Sequence, residues 1–318
     1  MSPERSARRL YRLHVSIAGV GGALVAGTIA FLATGADSGL PSPATVAAAC
    51  DRWLFAGGPG ALAALALGAL ALVSLGLGAR SGWRQLIASR RYLAGLPVSD
   101  HRIAIGGTSC PLVETAVPNA FCAGYLRPQV YLSRGALDRL SHDELRAVVG
   151  HELHHAGRRD PLRLLLARSL ADGLFFIPLL RRSSERYAAL GELAADDAAV
   201  RHVEGRRPPL ASALLKLSPP GARPASVLGI APERVDHLVG EPGAGGWRLP
   251  RALAGRSALV LLGLASLLAA SAHGLLVANL ELPVLLTAGC MAAMIGGPLA
   301  LALGMIVVSR RALRARRA

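Results

Sequence analysis

Four long apolar runs dominate the pattern of hydrophobic and polar positions along the chain. They lie at about 15–34, 59–79, 257–280 and 282–308. About 20 apolar residues in an α-helix span the roughly 30 Å hydrocarbon core of a bilayer. The pattern therefore predicts four transmembrane helices, arranged as two membrane hairpins at 1–79 and 257–318. Between them lies a more polar segment, 80–256.

Arginines follow the second and fourth runs. They are Arg80, Arg84, Arg90 and Arg91 after the second run, and Arg310, Arg311, Arg314, Arg316 and Arg317 after the fourth. Because positive charge next to a span marks the cytoplasmic side, both termini and segment 80–256 are predicted to lie in the cytoplasm. The expected location is a bacterial-type cytoplasmic (inner) membrane, crossed several times, with the lipid bilayer as a partner.

Two parts of this topology have alternative interpretations. The run at 15–34 could be a cleaved signal peptide, although it is longer than a usual signal core. The stretch 161–180 is apolar enough for a fifth span, but Arg163, Arg168 and Asp172 interrupt it. Since a charge at the bilayer centre costs a few kcal/mol, we expect a long buried or membrane-grazing helix there instead.

Segment 80–256 mixes charged residues with periodic apolar ones, which is typical of a water-facing α+β domain. Residues 117–123 and 129–132 are two short runs separated by a Gly- and Pro-containing turn, and this arrangement predicts a β-hairpin. The predicted fold is thus mainly α, with four transmembrane helices flanking a cytoplasmic domain that contains a small hairpin or sheet.

Composition narrows the class of protein. Hydrophobic residues make up 52% of the 318, aromatic residues 4%, and the mean hydropathy is +0.42, a balance that favours a membrane protein. The net charge of +15 is almost all arginine, next to the apolar runs and without interleaved aromatic residues. That distribution disfavours nucleic acid as a partner, and the four scattered cysteines do not have the spacing of a metal site.

The strongest chemical signal is the sequence His-Glu-Leu-His-His at 151–155. His151 and His155 are four residues apart, so on a helix their imidazoles share one face and can bind one zinc ion. Glu152 is placed to act as the general base toward water. Ser141 and Glu144 form a capping box that starts the helix, and Leu145, Val148, Val149, Leu153 and Ala156 give it an apolar face.

A zinc hydrolase needs a third protein ligand, and no histidine follows the pair at short spacing. Glu192 can supply it from a second helix, predicted at about 184–203, while Asp196 accepts a hydrogen bond from the far nitrogen of a ligand histidine. The alternative is an ordinary solvated acidic helix face. His202 and Tyr187, on or next to the same helix, are candidates to stabilise the oxyanion.

These motifs occur in a familiar order. Residues 141–161, SHDELRAVVGHELHHAGRRDP, resemble the core of the membrane gluzincin peptidases, which include the HtpX and CAAX-protease type and the β-lactam-sensing receptor peptidases. PNAFCAGYLRPQVYLSRGALDRLS at 118–141 and ELAADDAAV at 192–200 extend the likeness, and Ala231–Leu238 resembles a segment near the end of the family's peptidase domain. YLRPQVYLS and two spans on each side are most similar to the receptor-peptidase branch.

The resemblance implies a zinc metalloendopeptidase of the HExxH gluzincin type. It implies His151, His155 and Glu192 as zinc ligands, Glu152 as base, and Asp196 as the carboxylate behind a ligand histidine. It also implies that a strand near Asn119 lines the cleft and holds an extended protein or peptide substrate.

The chain stops at Ala318 without a Ser-x-x-Lys sensor module, so we do not expect antibiotic sensing. A catalytically idle membrane-anchored regulator is the alternative function, against which the intact Glu152 weighs. A transport or structural protein is a further rival, but the spans carry almost no ionisable residues.

Overall fold

The computed structural model describes residues 2–33, 58–217, 232–239 and 249–277. The helices are α1 (Pro3–Ala33), α2 (Gly58–Ala94), α3 (Arg134–Arg139), α4 (His142–Arg158), α5 (Asp160–Gly173), α6 (Pro178–His202), α7 (Pro208–Leu217), α8 (Pro232–Val239) and α9 (Arg251–Val277). The strands are β1 (Val98–Ile105), β2 (Thr108–Val113), β3 (Ala120–Ala123) and β4 (Gln129–Ser133). The described chain is therefore mostly helical, with one small sheet.

Three of the described helices are long and apolar enough to cross a membrane, at Pro3–Ala30, Ala66–Ala94 and Arg251–Ser271. They coincide with the first three apolar runs of the sequence. The fourth predicted span, 282–308, lies outside the described residues. Large apolar side chains on these helices, including Leu72, Leu259 and Leu262, are exposed, as expected where lipid replaces water around a helix.

The chain divides into two compact units. One contains Met1–Gly19 and Leu77–Ser257, and the other contains Val20–Gly76 and Ala258–Ala318. The functional chemistry suggested by the sequence falls entirely in the first unit, which is described below.

The sheet of the first unit has four strands in the order β1-β2-β4-β3. β1 pairs antiparallel with β2, β2 pairs parallel with β4, and β3 pairs antiparallel with β4. The predicted hairpin is thus confirmed as β3–β4, with Phe121 opposite Tyr131. Gly124 begins the turn with φ 103°, where a Cβ atom would also lie 2.8 Å from the carbonyl oxygen of Arg127. Strand β3 is an edge strand.

Helix α4 begins as predicted. The Ser141 hydroxyl accepts from the Glu144 amide, and the Glu144 carboxylate accepts from the Ser141 amide at 2.7 Å. The predicted apolar face packs against the sheet, in a core of Ile105, Cys110, Val130, Leu132, Leu145, Val148 and Val149, with Leu153 and Ala156 at its margin. The helix ends at Arg158, because Arg159 adopts the left-handed conformation (φ 53°) that closes it.

The stretch 161–180 is two helices where the sequence suggested one. α5 ends at Gly173, and α6 starts at Pro178, whose ring fixes φ and whose missing N–H costs nothing in the first turn of a helix. The second predicted helix, 184–203, is correspondingly longer at its start. Its inner face carries Leu190 and Leu193, both fully buried.

Helices α2 and α5 cross where both carry small residues. A Cβ atom at Gly78 would lie 3.4 Å from the Cα of Gly173, and one at Gly82 would lie 3.3 Å from the Ser169 hydroxyl oxygen. Small residues four apart on both helices let the two backbones approach closely. Ser81 donates a hydrogen bond to Asp172 (2.5 Å), which fixes the register of the crossing.

The start of α1 belongs to the same unit. Ala7 and Leu10 are buried against Tyr187, Leu190 and Leu193 of α6. Burying such side chains is worth about 1.5–3 kcal/mol for a leucine, so the first helix contributes directly to the core that supports α6.

Glu144, on α4, provides a test of the contact between α4 and α7. Burial opposes its charge, but Lys216, Ser212 and the Ser141 amide lower its pKa to about 2. A carboxyl group whose pKa is lowered by folding stabilises the folded state above its unfolded pKa, and this stabilisation is lost as the pH falls toward the folded value. We expect Glu144→Gln to lower the thermal midpoint at pH 7 and to flatten the loss of stability between about pH 5 and pH 2.

The measurement is thermal unfolding of the detergent-purified protein by circular dichroism across that pH range. Glu114→Gln is the matched control, because Glu114 pairs with Arg134 at an exposed site where ion pairs contribute little. Equal effects of the two substitutions would contradict a special role for the buried carboxylate.

Candidate metal centre

Helices α4 and α6 bring together the three residues proposed from the sequence as metal ligands. One ligand atom from each of His151, His155 and Glu192 lies within 4.8 Å of the other two, so the cluster could hold a metal ion. The two histidine side chains are largely buried, whereas that of Glu192 is 40% exposed. The cluster is therefore accessible from the side of Glu192.

The distances between these atoms fit a tetrahedral ion. The Nε2 atoms of His151 and His155 are 3.3 Å apart, and each lies 3.5 Å from an oxygen of Glu192. Two ligands at zinc-like bond lengths and a tetrahedral angle would be about 3.3–3.5 Å apart. The donor set, two imidazoles and a carboxylate, is also one that zinc hydrolases use.

Behind His151 lies Asp196, one turn after Glu192 on α6. The Nδ1 atom of His151 is 3.0 Å from Asp196 Oδ1, although the ring N–H is not well aligned with that oxygen. Asp196 is fully buried. Its position matches the one proposed from the sequence for a carboxylate that fixes the tautomer of a ligand histidine.

A second carboxylate, which the sequence reasoning missed, lies behind His155. The Nδ1 atom of His155 is 2.9 Å from Asp160 Oδ2, and the hydroxyl group of Tyr187 donates to Asp160 Oδ1 at 2.9 Å. The Tyr187 hydroxyl group thus holds Asp160, and the oxyanion role considered from the sequence stays a prediction. Each histidine of the pair thus has its own buried aspartate.

Arg234, on α8, is the other residue that the sequence reasoning missed. Its guanidinium group makes two contacts with Asp196, at 2.8 and 2.6 Å, and one with Glu192, at 3.0 Å. Arg234 is buried. Its planar guanidinium matches a carboxylate with two parallel hydrogen bonds, so one side chain holds both acidic residues of α6.

These contacts determine the charges of the centre. Burial opposes ionisation of Glu192 and Asp196, but His151 and Arg234 lower the pKa of both carboxyl groups to about 2. Burial also opposes protonation of His151, yet the same two carboxylates raise its pKa to about 10. Both carboxylates are thus kept ionised, and their field favours a cation at the position that the histidines face.

Glu152 lies beside this cluster. Burial raises its pKa, with the neighbouring histidines acting in the opposite direction. The backbone amide of Cys122, in β3, donates a hydrogen bond to its carboxylate. Glu152 is therefore positioned between α4 and the edge strand, and a raised pKa is characteristic of carboxyl groups that exchange protons near neutral pH.

The remaining candidates lie around the cluster. His202 packs over Gly150, where a Cβ atom would lie 2.8 Å from the His202 Cβ, and its Nδ1 is 3.2 Å from the carbonyl oxygen of Ala198. Within the described part of the chain, no hydrogen bond or ion pair joins His202 to the three clustered residues. Asn119 is exposed next to the start of β3, and its backbone N–H group donates to the Ser133 hydroxyl oxygen.

Comparison with known proteins identifies the kind of domain. Residues 108–222 match the model of peptidase family M48. The matched segment contains β2–β4, α4 and α6, and with them His151, Glu152, His155 and Glu192. This match supports a protease of the membrane metallopeptidase class.

Individual relatives are similar over shorter stretches. A protein named Protease HtpX homolog 2 from Methanosarcina mazei is 41% identical over 68 residues, 21% of this chain and 23% of that protein. Protease HtpX homolog from Moorella thermoacetica gives the same identity and coverage. Protease HtpX from Legionella pneumophila is 35% identical over 74 residues, 21% of this chain and 26% of that protein.

The alignments thus span about a quarter of the length of these relatives. No solved structure is significantly similar to the chain. Together with the apolar helices, the matches support a membrane-associated protease.

Asp160 should be needed for tight metal binding because it orients His155. We expect Asp160→Asn to weaken zinc affinity by about 10–100-fold, measured by competition with a chromogenic chelator. Tyr187→Phe is the control, since it removes only the hydroxyl group that contacts the other oxygen of Asp160, and it should have the smaller effect. Unchanged zinc affinity in Asp160→Asn would contradict the orienting role.

Arg234 should be important for stability, because its removal leaves the buried Asp196 without its two guanidinium hydrogen bonds and with His151 as its remaining described partner. We expect Arg234→Gln to destabilise the protein by about 3–5 kcal/mol, measured by denaturant unfolding. The exposed pair of Arg206 with Asp143, at 2.9 Å, gives the control Arg206→Gln, expected to cost at most about 1 kcal/mol. Similar losses in the two variants would argue against the buried network.

Proposed function

We propose that the protein is an integral-membrane, zinc-dependent endopeptidase that hydrolyses peptide bonds of protein substrates at the cytoplasmic face of the membrane. The observation that carries the proposal is the convergence of His151, His155 and Glu192, with one ligand atom of each within 4.8 Å of the others, next to Glu152. The M48 match over 108–222 supports it, because peptidases of this family are zinc-dependent in general.

In this proposal His151, His155 and Glu192 hold the zinc ion. When bound, zinc supplies a Lewis acid that polarises the scissile carbonyl group and makes water more acidic. Glu152 takes a proton from the attacking water and delivers it to the leaving amine. Asp196 and Asp160 hold the two imidazoles in the required tautomer, and Arg234 keeps Glu192 ionised and fixed in place.

The edge strand β3 is the proposed binding site for the substrate backbone. Ser133 donates its amide proton to the carbonyl oxygen of Asn119, and the register pairs Phe121 with Tyr131. Since hydrogen-bonded pairs alternate in an antiparallel ladder, the backbone groups of Ala120 and Cys122 point away from β4. A peptide in extended conformation could add to this edge through the Ala120 backbone groups and the Cys122 carbonyl oxygen, since the Cys122 amide already donates to Glu152.

The proposed cytoplasmic position of the peptidase domain rests on the arginines that flank the apolar runs. Arginines follow the second apolar run and the fourth, as the positive-inside rule requires for cytoplasmic ends. With four spans, the peptidase domain at 80–256 would face the cytoplasm of a bacterial-type inner membrane. Cytoplasmic proteins and membrane-adjacent segments are the substrate class that this position favours.

The experiment measures zinc content and cleavage of casein by the detergent-purified full chain. Glu152→Gln should retain about one zinc per chain and lose about 10²–10⁴-fold in cleavage rate, the usual contribution of a general base. His151→Ala should lose both zinc and cleavage. His142→Ala, at an exposed position at the start of the same helix, is the matched control and should retain both.

Two outcomes would contradict the peptidase proposal. Cleavage that survives in Glu152→Gln would show that another group is the base. A wild-type protein that binds zinc but cleaves neither itself nor casein would favour the idle membrane-anchored regulator instead.

A further inference from the structure

A second cluster of charge lies away from the metal centre, where α2, α5 and α6 surround a cavity of about 910 Å³. Four arginines from these three helices line it: Arg80 and Arg84 from α2, Arg168 from α5 and Arg181 from α6. All belong to the first unit of the chain. Residues far apart in sequence thus converge on one basic cavity, which single-helix charge patterns could not reveal.

The four arginines outnumber the two acidic residues of the cavity wall. Among the described residues, no hydrogen bond or ion pair reaches the guanidinium groups of Arg80, Arg84 or Arg168. Arg181 pairs with Glu185 at 3.4 Å. Asp172, the other acidic residue of the wall, accepts from Ser81. Three guanidinium groups of the cavity thus have no acceptor within residues 2–33, 58–217, 232–239 and 249–277, and such groups bind phosphate oxygens with charge-assisted hydrogen bonds.

The other walls of the cavity are apolar. Leu77 and Phe175 line it, and their side chains are 37% and 51% exposed. Trp83, between Arg80 and Arg84 on α2, is 64% exposed. Arginine with exposed tryptophan and aliphatic residues is the combination found where a helix leaves the hydrocarbon core for the headgroup layer. α2 is itself a candidate membrane span over Ala66–Ala94.

We propose that this cavity binds the phosphate group of an anionic phospholipid, with Arg80, Arg84 and Arg168 contacting the headgroup. The acyl chains lie along Leu77 and Phe175. Phosphate is the chemistry that the guanidinium groups recognise, and the lipid is its source because the cavity adjoins a candidate span and offers apolar walls. The close crossing of Gly78 and Gly82 with Ser169 and Gly173 keeps the two arginine-bearing helices together.

The test is native mass spectrometry of the full chain in mild detergent, titrated with palmitoyl-oleoyl phosphatidylglycerol or phosphatidylcholine. The wild type should retain phosphatidylglycerol in preference to phosphatidylcholine. The double variant Arg80→Gln/Arg84→Gln should bind phosphatidylglycerol at least about tenfold more weakly, as expected for two arginines near an anionic headgroup. Arg168→Gln, on a different helix, should weaken it in the same direction.

The double variant Arg90→Gln/Arg91→Gln is the matched control, because it removes two arginines of the same helix that do not line the cavity. It should bind phosphatidylglycerol like the wild type. Equal losses in the two double variants would overturn the site in favour of general attraction to anionic lipid. Equal retention of the two lipids by the wild type would also overturn it.

A third arm separates the two sources of phosphate. Sodium phosphate at millimolar concentration should neither displace bound phosphatidylglycerol nor raise the thermal midpoint as the lipid does. If it does both, the cavity is a site for soluble phosphate, and the lipid proposal fails. Circular dichroism of each variant shows that the fold is retained, and a misfolded double variant is replaced by Arg168→Gln. The outcome is independent of the peptidase proposal, since no readout depends on cleavage.

Discussion

Burial of ionised groups is the constraint on which the centre of this protein depends. Asp196 and Asp160 are almost fully buried, and a buried charge is tolerated only when it is paired and hydrogen-bonded. Each aspartate satisfies this condition with a histidine of α4 and one further partner, Arg234 or Tyr187. The same pairing that offsets the cost of burial also aims both imidazoles at Glu192. The same contacts therefore stabilise the fold and hold the residues of the proposed metal site in place.

The parts of the site predicted from sequence were those encoded within single helices. The capping box at Ser141, the apolar face of α4 and the spacing of His151 and His155 are local features, and the structure contains all of them. The hairpin was predictable for the same reason, since both of its strands and the Gly- and Pro-containing turn lie within about 15 residues. In each case the period of the element alone determines which side chains share a face.

The missed residues are those whose roles arise from distant contacts. Asp160 reads as an ordinary acidic residue before a proline, and only the turn at Arg159 brings it back to His155. Arg234 lies 38 residues beyond Asp196, and one arginine among many gives no local signal. The break between α5 and α6 was not predicted, because the apolar character of 161–180 continues across Gly173. The apolar composition of 161–180 indicates that the stretch is buried, but it does not indicate where one helix ends and the next begins.

The start of α1 has a consequence for how the protein is made. Ala7 and Leu10 complete the core around Tyr187, Leu190 and Leu193, so α1 packs against a segment that is synthesised some 180 residues later. The peptidase unit cannot finish folding until both membrane-proximal helices and α6 have been synthesised. Excising 80–256 as a soluble fragment would uncover the apolar side of α6. In this chain, the order of synthesis means that α4 and α6 are made only after the first two candidate spans.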